Sequence, residues 1–209
     1  MNEASINNLV VPANKVGKAV DLEHSVTEAS TEIAINTFKR ACKRLLNPPV
    51  WHELSGIISA SFQLQATGGD DSNRLARVND YVRIDIPGPG SIAGNGYDWV
   101  QVENIAENID PLAEQSFGMT LIATINPDKP DEGVAHFFAD GATSTFIIKR
   151  HGTKVIASYH GRNELPNTRK GMLSDKIRNS VIAAGARAGI SELQWMILLK
   201  GLLQKEIGR

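Results

Sequence analysis

The residues of this chain whose types and spacing could do chemistry are five histidines, a single cysteine and one glycine-rich loop. His24, His52, His136, His151 and His160 include no pair four apart with an intervening glutamate, the spacing that puts two imidazoles and a general base on one helical face. His136, His151 and His160 fall on or beside three short apolar runs, with Asp140 between them. Three imidazoles and a carboxylate would suit zinc or a non-haem metal. His151 sits in a turn signal, however, and the other two need not share a side, so no metal and no cofactor are assigned. His136, His160 and Asp140 are kept as the polar site of an alternative reading, a small-ligand-binding or hydrolytic barrel.

Nucleophilic catalysis has little to build on. There is no Gly-x-Ser-x-Gly elbow, and Cys42 stands within a helical apolar pattern, where a small buried side chain is the plain expectation. The acidic pairs Asp70-Asp71 and Asp131-Glu132 lie in turn-forming text, and solvation explains them better than acid–base work. The run GPGSIAGNG, residues 88–96, has the glycines of a phosphate loop but lacks its context. A dinucleotide loop must open a helix, whereas Tyr97 onward reads as strand, and no Lys-Ser or Lys-Thr follows.

That loop is better read as the bend of a β-hairpin spanning Asp80 to Ile105. Val82, Ile84 and Ile86 alternate with Tyr81, Arg83 and Asp85, and Val100 and Val102 alternate with Trp99, Gln101 and Glu103. Pro87 and Pro89 remove backbone donors, while Gly88, Gly90, Gly94 and Gly96 permit positive φ, so the bend leaves the ladder and stands at the surface. Tyr81, Tyr97 and Trp99 share the solvent-facing parity. With Gly88, Gly90, Gly94 and Gly96 they form the candidate binding surface.

The other elements follow from the same periods. Residues 1–24 show no sustained pattern and read as a loosely ordered leader. Ser25 and Glu28 have capping-box spacing before Ile33, Phe38, Ala41 and Leu45, predicting a helix over 26–46 that Pro48 and Pro49 stop. Strand patterns cover 54–65, the two hairpin arms, 117–123, 134–139, 143–150 and 154–160, about seven strands within a β region of 54–160. A helical pair follows over 174–206, its first member near 174–188 and its second beginning at Ser191. The fold class expected is α+β, with a small antiparallel β-barrel or sandwich flanked by an N-terminal helix and a C-terminal helical pair, in one domain over 1–209.

Composition narrows the partners. With 42% hydrophobic and 22% charged residues and a net charge of −1, the chain has no global field for nucleic acid or acidic lipid. Locally, Glu103 to Glu132 is acidic and Lys149 to Arg178 is basic, so Lys149, Arg150, Lys154, Arg162, Arg169 and Lys170 are a possible phosphate-facing patch. The longest apolar run, Trp195 to Leu203, is broken by Lys200 and is less than half the roughly 20 residues of a membrane span. Its excess apolar surface suggests either burial or a homo-oligomer contact. A lone cysteine and the absence of a signal-like apolar start fit a cytoplasmic protein. The function expected is a non-enzymatic binding or assembly module, with another protein or a second copy favoured over a small molecule and nucleic acid disfavoured.

Overall fold

The computed structural model describes residues 6–56, 60–67, 73–86, 94–109, 114–167 and 192–205. Among these, seven strands build one antiparallel sheet: β1 (Lys18–Thr27), β2 (Ser61–Gln65), β3 (Tyr81–Asp85), β4 (Asp98–Ile109), β5 (Glu114–Ala123), β6 (Thr143–His151) and β7 (Lys154–Glu164). The strand order is β1-β7-β6-β5-β4-β3-β2. Strands β2 to β7 each pair with their neighbours in sequence, and β1 comes back to pair with the last of them. Among the described residues four α-helices accompany the sheet: α1 (Ile6–Val10), α2 (Thr31–Leu45), α3 (Trp51–Ser55) and α4 (192–203). The expected α+β class with an antiparallel sheet is what forms.

One face of the sheet holds the main core. Phe62 and Leu64, Val82 and Ile84, Val100 and Val102, Phe117, Met119 and Leu121, Phe146 and Ile148, and Val155, Ala157 and Tyr159 supply its floor. Against them pack Ala34, Phe38, Ala41 and Leu45 of α2 and Trp195, Leu198, Leu199, Leu202 and Leu203 of α4. Trp51 is fully buried at the centre, with ring centroids 5.2 Å from Phe62, 5.5 Å from Phe146 and 6.5 Å from Trp195. The apolar excess of the last helix is thus mostly accounted for by burial, and only Leu193 and Ile197 remain exposed.

The sheet's other face is covered only in places. There α1 sets Ile6 and Val10 on Ile147 of β6. Its seat requires Gly118, because a Cβ at that position would come within 2.8 Å of a Val10 methyl. The Thr120 and Thr145 hydroxyls both donate to the Val10 carbonyl, at 2.6 and 3.3 Å, and so satisfy the end of a helix too short to be stable alone.

Four sequence expectations change. Within the predicted leader of 1–24, the described residues from Ile6 on hold α1 and most of β1, so that part is ordered. Val20, Leu22 and Val26 do alternate there, but as an edge strand β1 turns its charged side to water and dilutes the signal. The first long helix starts at Thr31, because Ser30 is the cap: its hydroxyl accepts from the Ile33 amide, while Ser25 lies in β1 opposite Ile156. The stretch 54–65 divides into the end of α3, a turn at Gly56 with φ +85°, and β2. Residues 134–139 form no strand and hold on through isolated bridges of Val134 to Ile125 and Phe138 to Pro166. The seven strands therefore include β1 and leave out 134–139. A predicted helix over 174–188 lies outside the described residues.

Candidate functional site

The hairpin forms in the register its alternation dictates, with Val82 opposite Val100 and Arg83 opposite Trp99. Its root is fixed by Asp80, a fully buried carboxylate just before β3. Asp80 accepts from Arg74 at 2.7 and 2.9 Å, from the Arg77 amide at 2.8 Å and from the Thr67 amide at 3.2 Å. Burial works to raise this carboxyl's pKa, but the Arg74 pair and the two amides outweigh it and hold Asp80 below the usual carboxylate range.

At the other arm the bend closes tightly onto β4. The Tyr97 amide donates to the Gly94 carbonyl at 3.1 Å, through Asn95 and Gly96, both at positive φ. A Cβ on Gly94 would overlap the Tyr97 carbonyl, so only glycine fits there. Gly94 and Gly96 thus shape the bend itself, while Gly88 and Gly90 lie outside the described residues.

The outer face of the hairpin carries the three aromatics together, as their parity requires. Trp99 is 3% exposed and packs on Ala135, with Tyr81 and Tyr97 half-buried beside it. The Trp99 amide donates to the Ala135 carbonyl at 2.8 Å, and the Ala135 amide to the Thr124 carbonyl at 2.9 Å. The extended segment around residue 135, not a terminal helix, therefore covers this tryptophan. Trp99 is a buried anchor, and the accessible part of the cluster is Tyr81, Tyr97 and Arg83. The Arg83 guanidinium lies 4.4 Å from the centroid of the Tyr97 ring and also bonds the Gln63 side chain on β2. A cation on an aromatic face, held from the adjacent strand, makes a stiff, partly wet platform.

His136, His160 and Asp140 are not gathered into one site. His136 is buried against Phe137 and Phe138, and its Nδ1 accepts from the Phe138 amide at 3.0 Å. Burial pushes its pKa down to about 3, so it is a neutral core imidazole whose acceptor nitrogen is already taken. Asp140 is exposed in the turn before β6. His160 is on β7, far along the sheet order, bonded to Asp21. Among the described residues, no group of three or more His, Cys, Asp or Glu side chains is placed to hold a metal ion.

The basic patch also disperses. Arg150 is 1% exposed, donating to Gln115 at 2.6 Å and to the Gly152 carbonyl at 3.0 Å, and Arg162 is taken up by Asp21 and the Val20 carbonyl. Arg169 and Lys170 lie outside the described residues. Cys42 packs against the core as expected, and burial raises its thiol to about 12.

Sequence reasoning missed the groups arrayed on β7. On the inner face Tyr159 donates to the Glu164 carboxylate at 3.1 Å and shares a 3.2 Å bond with Ser144. Both Tyr159 and Glu164 are buried, and burial raises both pKa values. On the outer face Ser158 and His160 are 3.1 Å apart, and His160 meets Asp21 at 2.5 Å. The i, i+2 spacing of Ser158, His160 and Arg162 marked a shared face, but Asp21 joins them only through the return of β1.

No family model matches the chain, and no curated protein does. Among solved structures it is similar to the crystal structure of Ara h 8.0201, at 11% identity and TM-score 0.34 over 90% of this chain and all of that one. It is also similar to truncated norcoclaurine synthase from Thalictrum flavum, at 11% identity and TM-score 0.36 over 93% of this chain and all of that one. A solution structure of a protein from Arthrobacter aurescens is 10% identical, with TM-score 0.38 over 91% of this chain and 92% of that one. Overlaps this low assign no family and transfer no residue role.

Proposed function

We propose that the chain is a binding or assembly module whose recognition face is the outer side of the β3–β4 hairpin. Tyr81, Arg83 and Tyr97 make the contact, and buried Trp99 fixes their positions. Gly94 and Gly96 set the course of the bend beside them, and Gly88 and Gly90 complete the proposed binding set. The observation that supports this reading is the stacked Arg83–Tyr97 pair, on the face of the sheet away from the main core. Half-buried tyrosines and an arginine already ordered by a neighbouring strand lose little entropy on contact, which is what makes such residues effective anchors. Their chemistry suits a partner that brings a carboxylate to Arg83 and a planar or apolar group to the tyrosines. An acidic, aromatic-containing segment of another protein or of a second copy has both.

The test is a titration followed by amide and side-chain NMR. Short peptides combining a glutamate with a tyrosine or phenylalanine are expected to shift the Trp99 indole, Arg83 and Tyr97 resonances together. Arg83→Ala should weaken that binding by about tenfold, the scale of one charge-assisted contact. Shifts confined to α4 and the inner strands, or none at millimolar peptide, would contradict the reading.

A further inference from the structure

On the outer face of β7, away from the hairpin, three side chains stand in one hydrogen-bonded row. Ser158 Oγ lies 3.1 Å from His160 Nε2, and His160 Nδ1 lies 2.5 Å from Asp21 Oδ1. Strand geometry sets the arrangement: Ser158 and His160 are two apart on β7, and Asp21 is the cross-strand partner of His160 on β1. Arg162, next along the same face, donates to the same Asp21 oxygen at 2.7 Å. Burial tends to raise the Asp21 carboxyl, but the bonds from Arg162 and His160 outweigh it and keep it ionised below the usual range. An ionised acceptor at Nδ1 fixes the proton there, which leaves the Nε2 lone pair facing the Ser158 hydroxyl.

We propose that Ser158 is an activated nucleophile, with His160 as its general base and Asp21 as the group that orients the imidazole, acting on small acyl esters. Ser158 Oγ attacks the acyl carbon as its proton passes to His160 Nε2. The ester C–O bond then breaks, and the alcohol leaves with that proton. Water next attacks the acyl-serine, giving one proton to His160, from which it returns to the serine oxygen as the carboxylic acid departs. The surroundings set the substrate class. Ser158 is only 8% exposed, and Ile147, its cross-strand neighbour on β6, is fully buried under Ile6 and Val10 and closes that side, so only a small acyl group can reach the serine. On the other side Glu23 of β1, opposite Ser158 and exposed, disfavours anionic esters and leaves neutral or cationic ones. The ladders to β1 and β6 occupy the backbone of β7 here, so no row of free amides is on hand for an oxyanion, and turnover should be slow. Covalent capture is therefore the sensitive readout.

The purified full chain is incubated with a neutral alkyl fluorophosphonate, whose P–F bond breaks as Ser158 Oγ bonds phosphorus, fluoride leaving with the proton held on His160. Peptide mass spectrometry should find one adduct, on Ser158. It should be absent in Ser158→Ala and form about 100-fold more slowly in His160→Gln, the usual scale of a general base. Melting curves are recorded for each variant. If His160→Gln does not fold, Asp21→Asn, whose site is largely exposed, supplies the comparison and should also label more slowly. No adduct on Ser158, or labelling at the wild-type rate in the folded histidine or aspartate variant, overturns the proposal.

Discussion

Two buried carboxyls, Asp80 and Glu164, meet opposite surroundings, and the pH dependence of stability should separate them. Asp80 is held ionised by Arg74 and two amides, so the folded protein gives up its proton more readily than the unfolded chain. Its contribution is complete above an ordinary carboxylate pKa of about 4 and is lost as pH falls below that. Asp80→Ala removes the part-buried ion pair with Arg74 and the acceptor of the Arg77 and Thr67 amides, and should cost about 3–5 kcal/mol at neutral pH, measured by urea denaturation. Glu164 is pushed the other way by burial: the fold holds its proton longer, so stability declines as pH rises from about 4.3 through the raised folded value. Glu164→Gln keeps an acceptor for the Tyr159 hydroxyl and removes that loss. Its melting temperature should exceed wild type at pH 8 and match it at pH 4. Neither carboxyl was legible in the sequence as a buried group. Asp80 precedes a strand amid turn residues, and Glu164 lies beyond the 154–160 pattern, at the end of a strand that runs on to it. Their burial comes from Arg74 six residues away and from Gly161, where a Cβ would collide with the Glu164 carboxylate.

Elements read well where two faces differ and poorly where only one neighbour exists. Both arms of the β3–β4 hairpin and the β6–β7 pair follow the every-other-residue pattern, since the core supplies one side throughout. Edge strand β1 has a wet edge and charged alternate residues, and the bonds that make it a strand come from β7, more than a hundred residues later. The 134–139 segment carries strand-like apolar residues, yet spends them on covering Trp99 and on a small cluster of Phe138 with Ala123 and Ala142. No local pattern could have announced α1, because its seat is a missing side chain at Gly118. Gly118→Val should therefore lift α1 from β5 and cost about 1–3 kcal/mol, the usual penalty of forcing bulk into a filled contact. Urea denaturation gives that cost, and faster proteolysis near residue 12 would locate it. An unchanged midpoint with α1 still protected would mean that α1 is not seated as described.

At the scale of the molecule the division of labour is between faces: the inner face with α2 and α4 holds the protein together, and the outer face, covered by α1 and by the segment around Ala135, leaves Tyr81, Arg83 and Tyr97 part-exposed for contacts. Leu198 is fully buried and Leu193 is 63% exposed on the same helix. Leu198→Ala should cost about 2–5 kcal/mol, while Leu193→Glu should stay within about 0.5 kcal/mol of wild type. The candidate surface was half legible, for the same reason. Parity alone put Tyr81, Tyr97 and Trp99 on one face, but the burial of Trp99 depends on Ala135, whose approach only the folded chain reveals. The decisive measurement pairs stability with binding in the double variant Arg83→Ala, Tyr97→Ala. The unfolding midpoint should remain within about 0.5 kcal/mol of wild type while affinity for the acidic aromatic peptides falls more than tenfold. A variant that binds as well as wild type, or one that unfolds, would show that the outer hairpin is structural covering and not a recognition face.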